Sequence, residues 1–379
     1  MTKAAELAKM GEVLTNSQIG GRRNMIINGA MQVAQRATSV TGATDGGYKT
    51  CDRWSVSNTS QGTWTISQSS TTPSDFTNSL KFDCTTADGT TNASDQLGVD
   101  TRIEAKDLTQ LNYGTSSAKT ITLSFHVRSN KTGTYTFEAY AQDPNRGFSK
   151  TYTIDSADTW EKKEIVIPGD TSASQNFDDN AEIGIIFKWW LAAGSTFTGG
   201  TYTDNVWRAN TNANRVSSSN VNLADSTDNQ WYITGVQLEV GSQATPFEHR
   251  SFGEELALCE RYFQKHFGTS DSSFYTAYAG QHWGTNTLFI TLNLRQIMRA
   301  EPSVAFKDKN GTALGSTSVV GLAAGGGSSD QFTAGNITLQ TGHDGVVTFT
   351  LGLDHNPSTT QAHVAYIDNL SRADFDAEL

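Results

Sequence analysis

The side chains in this sequence that could do chemistry are spaced for binding rather than for catalysis. Aromatic residues make up 10% of the 379 residues, and several tryptophans stand beside polar partners. These are Trp160, Trp189 with Trp190, Trp207 with Arg208, Trp231, and Gln281-His282-Trp283. Such pairs are raw material for sugar recognition: a ring face stacks on the C–H side of a pyranose while nearby amides, guanidinium groups and carboxylates bond its hydroxyls. Alternation along residues 183–190 sends Ile183, Ile185, Phe187 and Trp189 to one face, so Trp190 joins Lys188 on the other. An indole on a polar face either stacks on a ligand or meets another subunit. Trp207 and Arg208 lie in a polar stretch, residues 198–225, whose length marks it as functional or disordered. Tyr275, Tyr278, His282 and Trp283 form a further cluster, either a receptor surface or part of a core.

The parts needed for catalysis are missing. A glycosidase holds two carboxylates roughly 5–10 Å apart across a cleft. The acidic pairs here are Glu104 with Asp107, Asp178 with Asp179, and Glu254 with Glu255, and none adjoins an aromatic run. Gly-x-Ser-x-Gly, His-Glu-x-x-His and Cys-x-x-Cys are all absent from the sequence. The seven histidines show no ligand spacing, so neither a metal nor a cofactor is expected. A calcium ion at the acidic residues Asp83, Asp88, Asp95 and Asp100 stays open. Cys51, Cys84 and Cys259, an odd number without motif spacing, read as reduced core residues.

A net charge of −11 argues against nucleic-acid binding, which needs a basic stripe. The longest strongly apolar stretch, residues 183–193, is interrupted by Lys188 and falls far short of the roughly 20 residues a membrane span needs. The N-terminus lacks the apolar core of a signal peptide, so any extracellular role is expected to be reached other than by ordinary secretion.

The elements that must position these residues are mostly strands. Residues 120–128 alternate strictly, with Ile121, Leu123, Phe125 and Val127 on one face, and Tyr135, Phe137 and Ala139 repeat the pattern. Further alternating runs cover 64–66, 80–84, 165–167, 183–189 and 232–240, bounded by turn residues such as 130–133 and 143–147. A period of two over residues 24–250 without helices predicts a two-sheet sandwich, a jelly roll. Residues 24–36 suggest an edge strand laid under it, with a turn at Asn28-Gly29. Asp52, Arg53 and Trp54 form either a ligand patch or a structural ion pair with a core indole. Pro246 and Phe247 stop the last strand. Ser251 with Glu254 is a capping box, and Phe252, Leu256, Cys259 and Phe263 make an apolar stripe, so residues 251–267 read as a linking helix. That helix either lies on the sandwich or forms a three-helix core about a trimer axis. Residues 268–379 read as a smaller β-domain, and residues 1–23 as a short helix and linker with Leu7, Met10 and Leu14 on one stripe. A helix that short needs a partner to pack on.

Two segments carry a family resemblance: Arg23-Asn-Met-Ile-Ile-Asn-Gly-Ala-Met-Gln-Val-Ala-Gln-Arg36 with Cys51-Asp-Arg-Trp54, and Gly235-Val-Gln-Leu-Glu-Val-Gly-Ser-Gln-Ala-Thr-Pro-Phe-Glu-His-Arg250 running into residues 251–263. With Met298-Arg-Ala-Glu-Pro302 and the terminal Ala373-Asp-Phe-Asp-Ala-Glu-Leu379, they resemble a family of bacteriophage tail-fibre and virion surface proteins. The resemblance implies an all-β chain: a jelly roll similar to carbohydrate-binding modules, then a helix and a small C-terminal β-domain. It implies a homotrimer in the virion, docked to tail, collar or capsid proteins through the N-terminal segment. Contact with host cell-surface polysaccharide without catalysis is one expectation. A purely structural collar, adaptor or capsid-attached fibre is the other.

Overall fold

The computed structural model describes residue 3, residues 23–267 and, beyond them, 277–283, 287–307, 319–324, 329–333, 337–341, 346–352, 363–367 and 372–379. The N-terminal stripe of Leu7, Met10 and Leu14 lies outside the described residues. The chain divides into two compact units, Met1–Glu255 with Leu379, and Leu256–Glu378.

The first unit is an all-β, jelly-roll sandwich. Its strands are β1 (Ser39–Ala43), β2 (Gly47–Tyr48), β3 (Ser55–Thr59), β4 (Thr63–Ser69), β5 (Ser79–Thr86), β6 (Gln96–Glu104) and β7 (Ile121–Ser129). They are followed by β8 (Gly133–Ala141), β9 (Arg146–Ile154), β10 (Glu161–Ile167), β11 (Ile183–Ala193), β12 (Val206–Ala209) and β13 (Gln230–Val240), with a one-turn helix α1 (Ser195–Thr198) after β11. A six-stranded sheet in the order β1-β4-β5-β13-β7-β10 faces a seven-stranded one in the order β12-β9-β8-β11-β6-β3-β2. Their inner faces bury the alternating residues: Leu123, Phe125 and Val127 from β7, Tyr135 and Phe137 from β8, Ile185 and Phe187 from β11. Trp189 sits at the centre, its ring 5.6 Å from Trp54, 5.5 Å from Phe125 and 5.3 Å from Phe137. Each such side chain contributes roughly 1.5–3 kcal/mol through burial.

Residues 24–36 are not the edge strand their apolar run suggests. β5 pairs with β13 only over Gln230–Ile233, which leaves Val236–Leu238 open on that side, and residues 24–29 complete it. Met25 N donates to Leu238 O (3.0 Å) and Val236 N to Gly29 O (2.9 Å). The Asn24 carboxamide acts like a strand residue, accepting from Leu238 N (3.1 Å) and donating to Val236 O (3.1 Å). Gly29 is required here, because a Cβ would stand 2.1 Å from Val236 O. The chain then turns at Asn28, with φ of 57°. Asn28 Nδ2 donates to Val33 O (2.8 Å) and Asp52 O (2.9 Å), while its Oδ1 accepts from Val33 N (3.0 Å). Its carbonyl accepts from the Trp54 indole (3.0 Å), and its amide donates to Glu255 (2.5 Å). Arg250 closes the knot, donating to Ile26 O at 3.1 Å and to the Asn24 carbonyl, and pairing with Glu255 at 3.3 Å. Asp52, Arg53 and Trp54 are buried, which resolves them as structural. Arg36 stands 4.0 Å from Asp52, and Arg53 donates to Arg102 O (2.7 Å).

The linking helix is shorter than its pattern predicts. The capping box forms, with Ser251 N donating to Glu254 Oε2 (3.0 Å) and Glu254 N to Ser251 Oγ (3.3 Å). The helix, α2 (Phe252–Glu260), then stops, and Phe263–Phe267 is a strand pairing with Arg372–Asp376. Phe-Gln-Lys-His-Phe fits a period of two as well as a helical one, and an available antiparallel partner decides for the strand. Phe263 therefore leaves the stripe, and Phe252 is 58% exposed.

In the second unit a three-stranded sheet has the order Phe263–Phe267, Arg372–Asp376, Ser303–Lys307. A seven-stranded sheet includes Ala277–Trp283 between His363–Ile367 and Thr287–Asn293. Met298, Phe375 and Tyr262 are buried, and Arg299 donates to Ala377 O (2.6 Å), so the two C-terminal motifs meet the end of α2.

Asn28→Ala strips partners from buried backbone groups at Val33 and Asp52, which should lower the unfolding free energy by roughly 2–4 kcal/mol. Urea titration of the purified variant checks this, and a midpoint equal to the parent's would show the side chain to be dispensable.

Candidate functional site

Trp190, the leading sequence candidate for stacking, has no free face. It does lie on the outer side of the seven-stranded sheet, as alternation requires, but it is wholly buried there. The segment after β11 folds over it: Phe197 of α1 stands 5.1 Å from its ring, and Val216 completes the cover. Beneath that cover lies a charged cluster. The Trp190 indole donates to Glu138 (2.9 Å), which also accepts two bonds from Arg215 (2.7 and 2.9 Å). Lys188 Nζ sits 3.8 Å from the Trp190 ring centroid and donates to Gln96 Oε1 (2.9 Å). Burial pushes the Lys188 amine down to about 8, against the pull of Asp100.

The same cover accounts for the second pair. Residues 198–225 are an ordered lid, held by bonds such as Ser217 N to Thr136 Oγ1 (3.3 Å) and Val221 N to Thr134 O (2.9 Å). Trp207 belongs to β12 and is only 8% exposed. Its ring packs on Tyr113 (5.5 Å) and Phe148 (5.6 Å), and its indole donates to Pro168 O (2.7 Å). Arg208 is half-buried and donates to Ser149 Oγ (2.9 Å) and Asn214 O (2.5 Å). Trp190, Trp207 and Arg208 are thus structural in this fold, not a ligand platform. Of the C-terminal candidates, Tyr275 lies outside the described residues. Tyr278, His282 and Trp283 fall on the strand Ala277–Trp283, with their side chains outside the description.

The open aromatic surface lies on the other sheet. Tyr232 occupies an outward position of β13, between the inward Trp231 and Ile233, and pairs across to Arg128 of β7 and Lys81 of β5; its neighbours leave it only 4% exposed, so the accessible ring is that of Trp160. Trp160, just before β10, braces it edge-on with centroids 6.1 Å apart at 65°, and remains half-exposed. The Arg128 guanidinium lies 5.0 Å from the Tyr232 ring and the Lys81 ammonium 5.6 Å. Each cation has an acidic neighbour: Arg128 with Asp158 (2.8 Å), Lys81 with Asp83 (3.1 Å). The Tyr232 hydroxyl donates to Gln230 Oε1 (2.7 Å). Asp158 is exposed and Asp83 partly so, which leaves these carboxylates within reach of a ligand's hydroxyls. The outward phase of Tyr232 is legible in the alternation of β13. Its partnership with Trp160 is not, because it depends on the order β13-β7-β10.

Two of the acidic pairs expected from the sequence are tied into the fold. Glu104 is buried against Lys106 (3.0 Å), and Glu255 is held by Arg250 and Asn28. The four candidate calcium ligands do not converge. Asp83 pairs with Lys81, Asp88 bonds Thr90 N, Asp95 bonds Asn92, and Asp100 bonds Arg102 and Ser57. Among the described residues no group of three or more His, Cys, Asp and Glu could hold a metal ion, and no helix is long and apolar enough to cross a membrane. The three cysteines are buried and none is in a disulfide.

No family model matches the chain, and no curated protein matches it. Solved structures are similar to part of it. A putative sugar-binding protein from Bacteroides thetaiotaomicron is 14% identical with a TM-score of 0.34, over 58% of this chain and 100% of that one. The family 11 carbohydrate-binding module from Clostridium thermocellum, in complex with a β-1,3-1,4-mixed-linked tetrasaccharide, is 13% identical with a TM-score of 0.27, over 55% and 99%. The enzymatically active domain of tailspike protein 4 from bacteriophage CBA120 is 13% identical with a TM-score of 0.31. That match covers 57% of this chain and spans 21% of the tailspike chain.

Lys188 gives the sandwich a pH signature. The folded protein releases its proton near pH 8 and the unfolded chain near the ordinary 10.5, so between those values the unfolded state binds more protons and this residue's contribution to stability rises with pH. Subtracting the unfolding free energy of Lys188→Met from that of the parent isolates this contribution. The difference should climb in the parent's favour across that window, and a flat difference would show that Lys188 titrates normally in the fold.

Proposed function

We propose that this chain is a bacteriophage fibre protein, a homotrimer docked to the virion through residues 1–23, that presents the outer face of its six-stranded sheet to host surface polysaccharide without cleaving it. The observation that carries the binding role is the half-exposed Trp160, braced by Tyr232 and flanked by the ion pairs Arg128–Asp158 and Lys81–Asp83. An indole held rigidly on an open polar face loses little entropy on stacking, and its charged neighbours can bond hydroxyls while staying hydrated. A dry protein interface at the same place would have to desolvate those four charges. The fibre assignment draws on the sequence motifs. Residues 24–36, 51–54 and 235–255, remote in the chain, meet in one hydrogen-bonded knot, so the resemblance follows a structural unit.

Purified protein should compete with phage for adsorption to host cells, and Trp160→Ala should weaken that competition about tenfold, the size of one lost stacking contact, while leaving thermal unfolding unchanged. Absence of competition by the parent protein at micromolar concentration would leave only a structural role in the particle. Deleting residues 1–14 should leave a folded trimer by light scattering that no longer enters virions. Particles carrying the shortened chain would contradict docking through that segment.

A further inference from the structure

A second aromatic group lies on the same open face. His126 stands two residues from Arg128 on β7, opposite Thr234, which is itself two residues from Tyr232 on β13. One step of two residues along a strand is about 7 Å. Over this point converge Phe76 from the β4–β5 loop and Phe247 and His249 from the segment after β13. Phe76 is 5.3 Å from His126, 5.0 Å from Phe247 and 5.4 Å from His249, and Phe247 is 4.9 Å from His249. His249 is exposed, and Phe76 and Phe247 are half-exposed, unlike the aromatic rings of the sandwich core.

The backbone makes room for the group. β13 changes register between Thr234 and Gln237, and Gly235 has φ of +62°. A Cβ at Gly235 would stand 2.6 Å from Phe76 and 2.8 Å from His126 Nδ1, so the bulge lets both rings lie down on the sheet. Burial, with Lys162 nearby, pushes His126 below its ordinary value against the pull of Asp75.

Resting on the glycan-binding reading above, we infer that Phe76, Phe247 and His249 form a second sugar subsite, so that the face takes an extended polysaccharide chain lying from Trp160 across to Phe247 rather than a chain end in a pocket. The polar surroundings choose this occupant. Between and beside the two aromatic groups stand Arg128 with Asp158 and Lys162 with Glu164, the latter pair 2.7 Å apart and about half exposed. A protein partner covering both groups would bury these ions, whereas the hydroxyls of a hydrated glycan bond them in place.

The probe is found on an array of bacterial O-antigen and capsular polysaccharides, and the best binder is then cut by partial hydrolysis into fragments of graded length. Affinity should grow with fragment length in the parent protein. Trp160→Ala should weaken fragments of every length. Phe247→Ala should weaken only the longer ones, about tenfold for one lost stacking contact, and leave the shortest unchanged. His249→Ala, at an exposed position, provides the same comparison should Phe247→Ala unfold. Affinity independent of length, or long fragments bound equally well by Phe247→Ala and His249→Ala, would overturn the second subsite while leaving the Trp160 site standing. No binding to any polysaccharide on the array would overturn both.

Discussion

The sandwich depends on one local problem, the unpaired half of β13. Its Val236–Leu238 edge would be left with bare amides and carbonyls inside the protein, since β5 reaches only to Ile233. Residues 24–29 solve this without being a strand, through two backbone bonds and the carboxamide of Asn24. Their departure from strand geometry creates a second set of buried carbonyls, which Asn28, Trp54 and Arg250 satisfy in turn. Because Arg250 and Glu255 also fix the start of α2, the beginning of the sandwich, the end of its last strand and the first turn of the helix form one buried polar network. Such a network is stabilising only when complete, since each missing member strands a desolvated partner.

The two outer faces of the sandwich have opposite fates for a related reason. On the seven-stranded sheet, β6, β11 and β8 bring Asp100, Lys188 and Glu138 into register, and Trp190 joins them. Leaving an indole among those charges open to water would forgo its burial. The segment after β11 covers it, and Arg215 arrives with the cover to pair Glu138. The buried Lys188 ammonium keeps one hydrogen bond and the face of Trp190, and its depressed proton affinity records the remaining desolvation cost. Nothing comparable closes the described part of the six-stranded sheet, where Trp160, Phe76 and Phe247 stay partly exposed. One face is sealed by its own chain; the other keeps aromatic rings partly exposed.

Much of this was legible in the sequence. Alternation places Phe125, Tyr135, Phe137 and Trp189 in the core and separates Trp190 from them, because a period of two is a property of the strand itself. The capping box at Ser251 and the turn at Asn28-Gly29 are equally local, and both form. Residues 24–36 and 251–263 also stood out as motifs, although their meaning did not.

What only the tertiary structure decided is which face is covered and which strand edges find partners. Trp190 and Trp207 had the neighbours of binding residues, but α1 and the lid of residues 198–225 bury the first, and the second is part of that lid and packs on Tyr113 and Phe148. Trp160, one aromatic candidate among several in the sequence, becomes a platform braced by Tyr232 because β10 lies beside β7 and β7 beside β13. The stretch after Glu260 could satisfy either period, and Arg372–Asp376, more than a hundred residues away, made it a strand. Side-chain phase is set by backbone geometry within a few residues. Exposure is set by what returns from elsewhere in the chain, and that depends on the global pairing of strands.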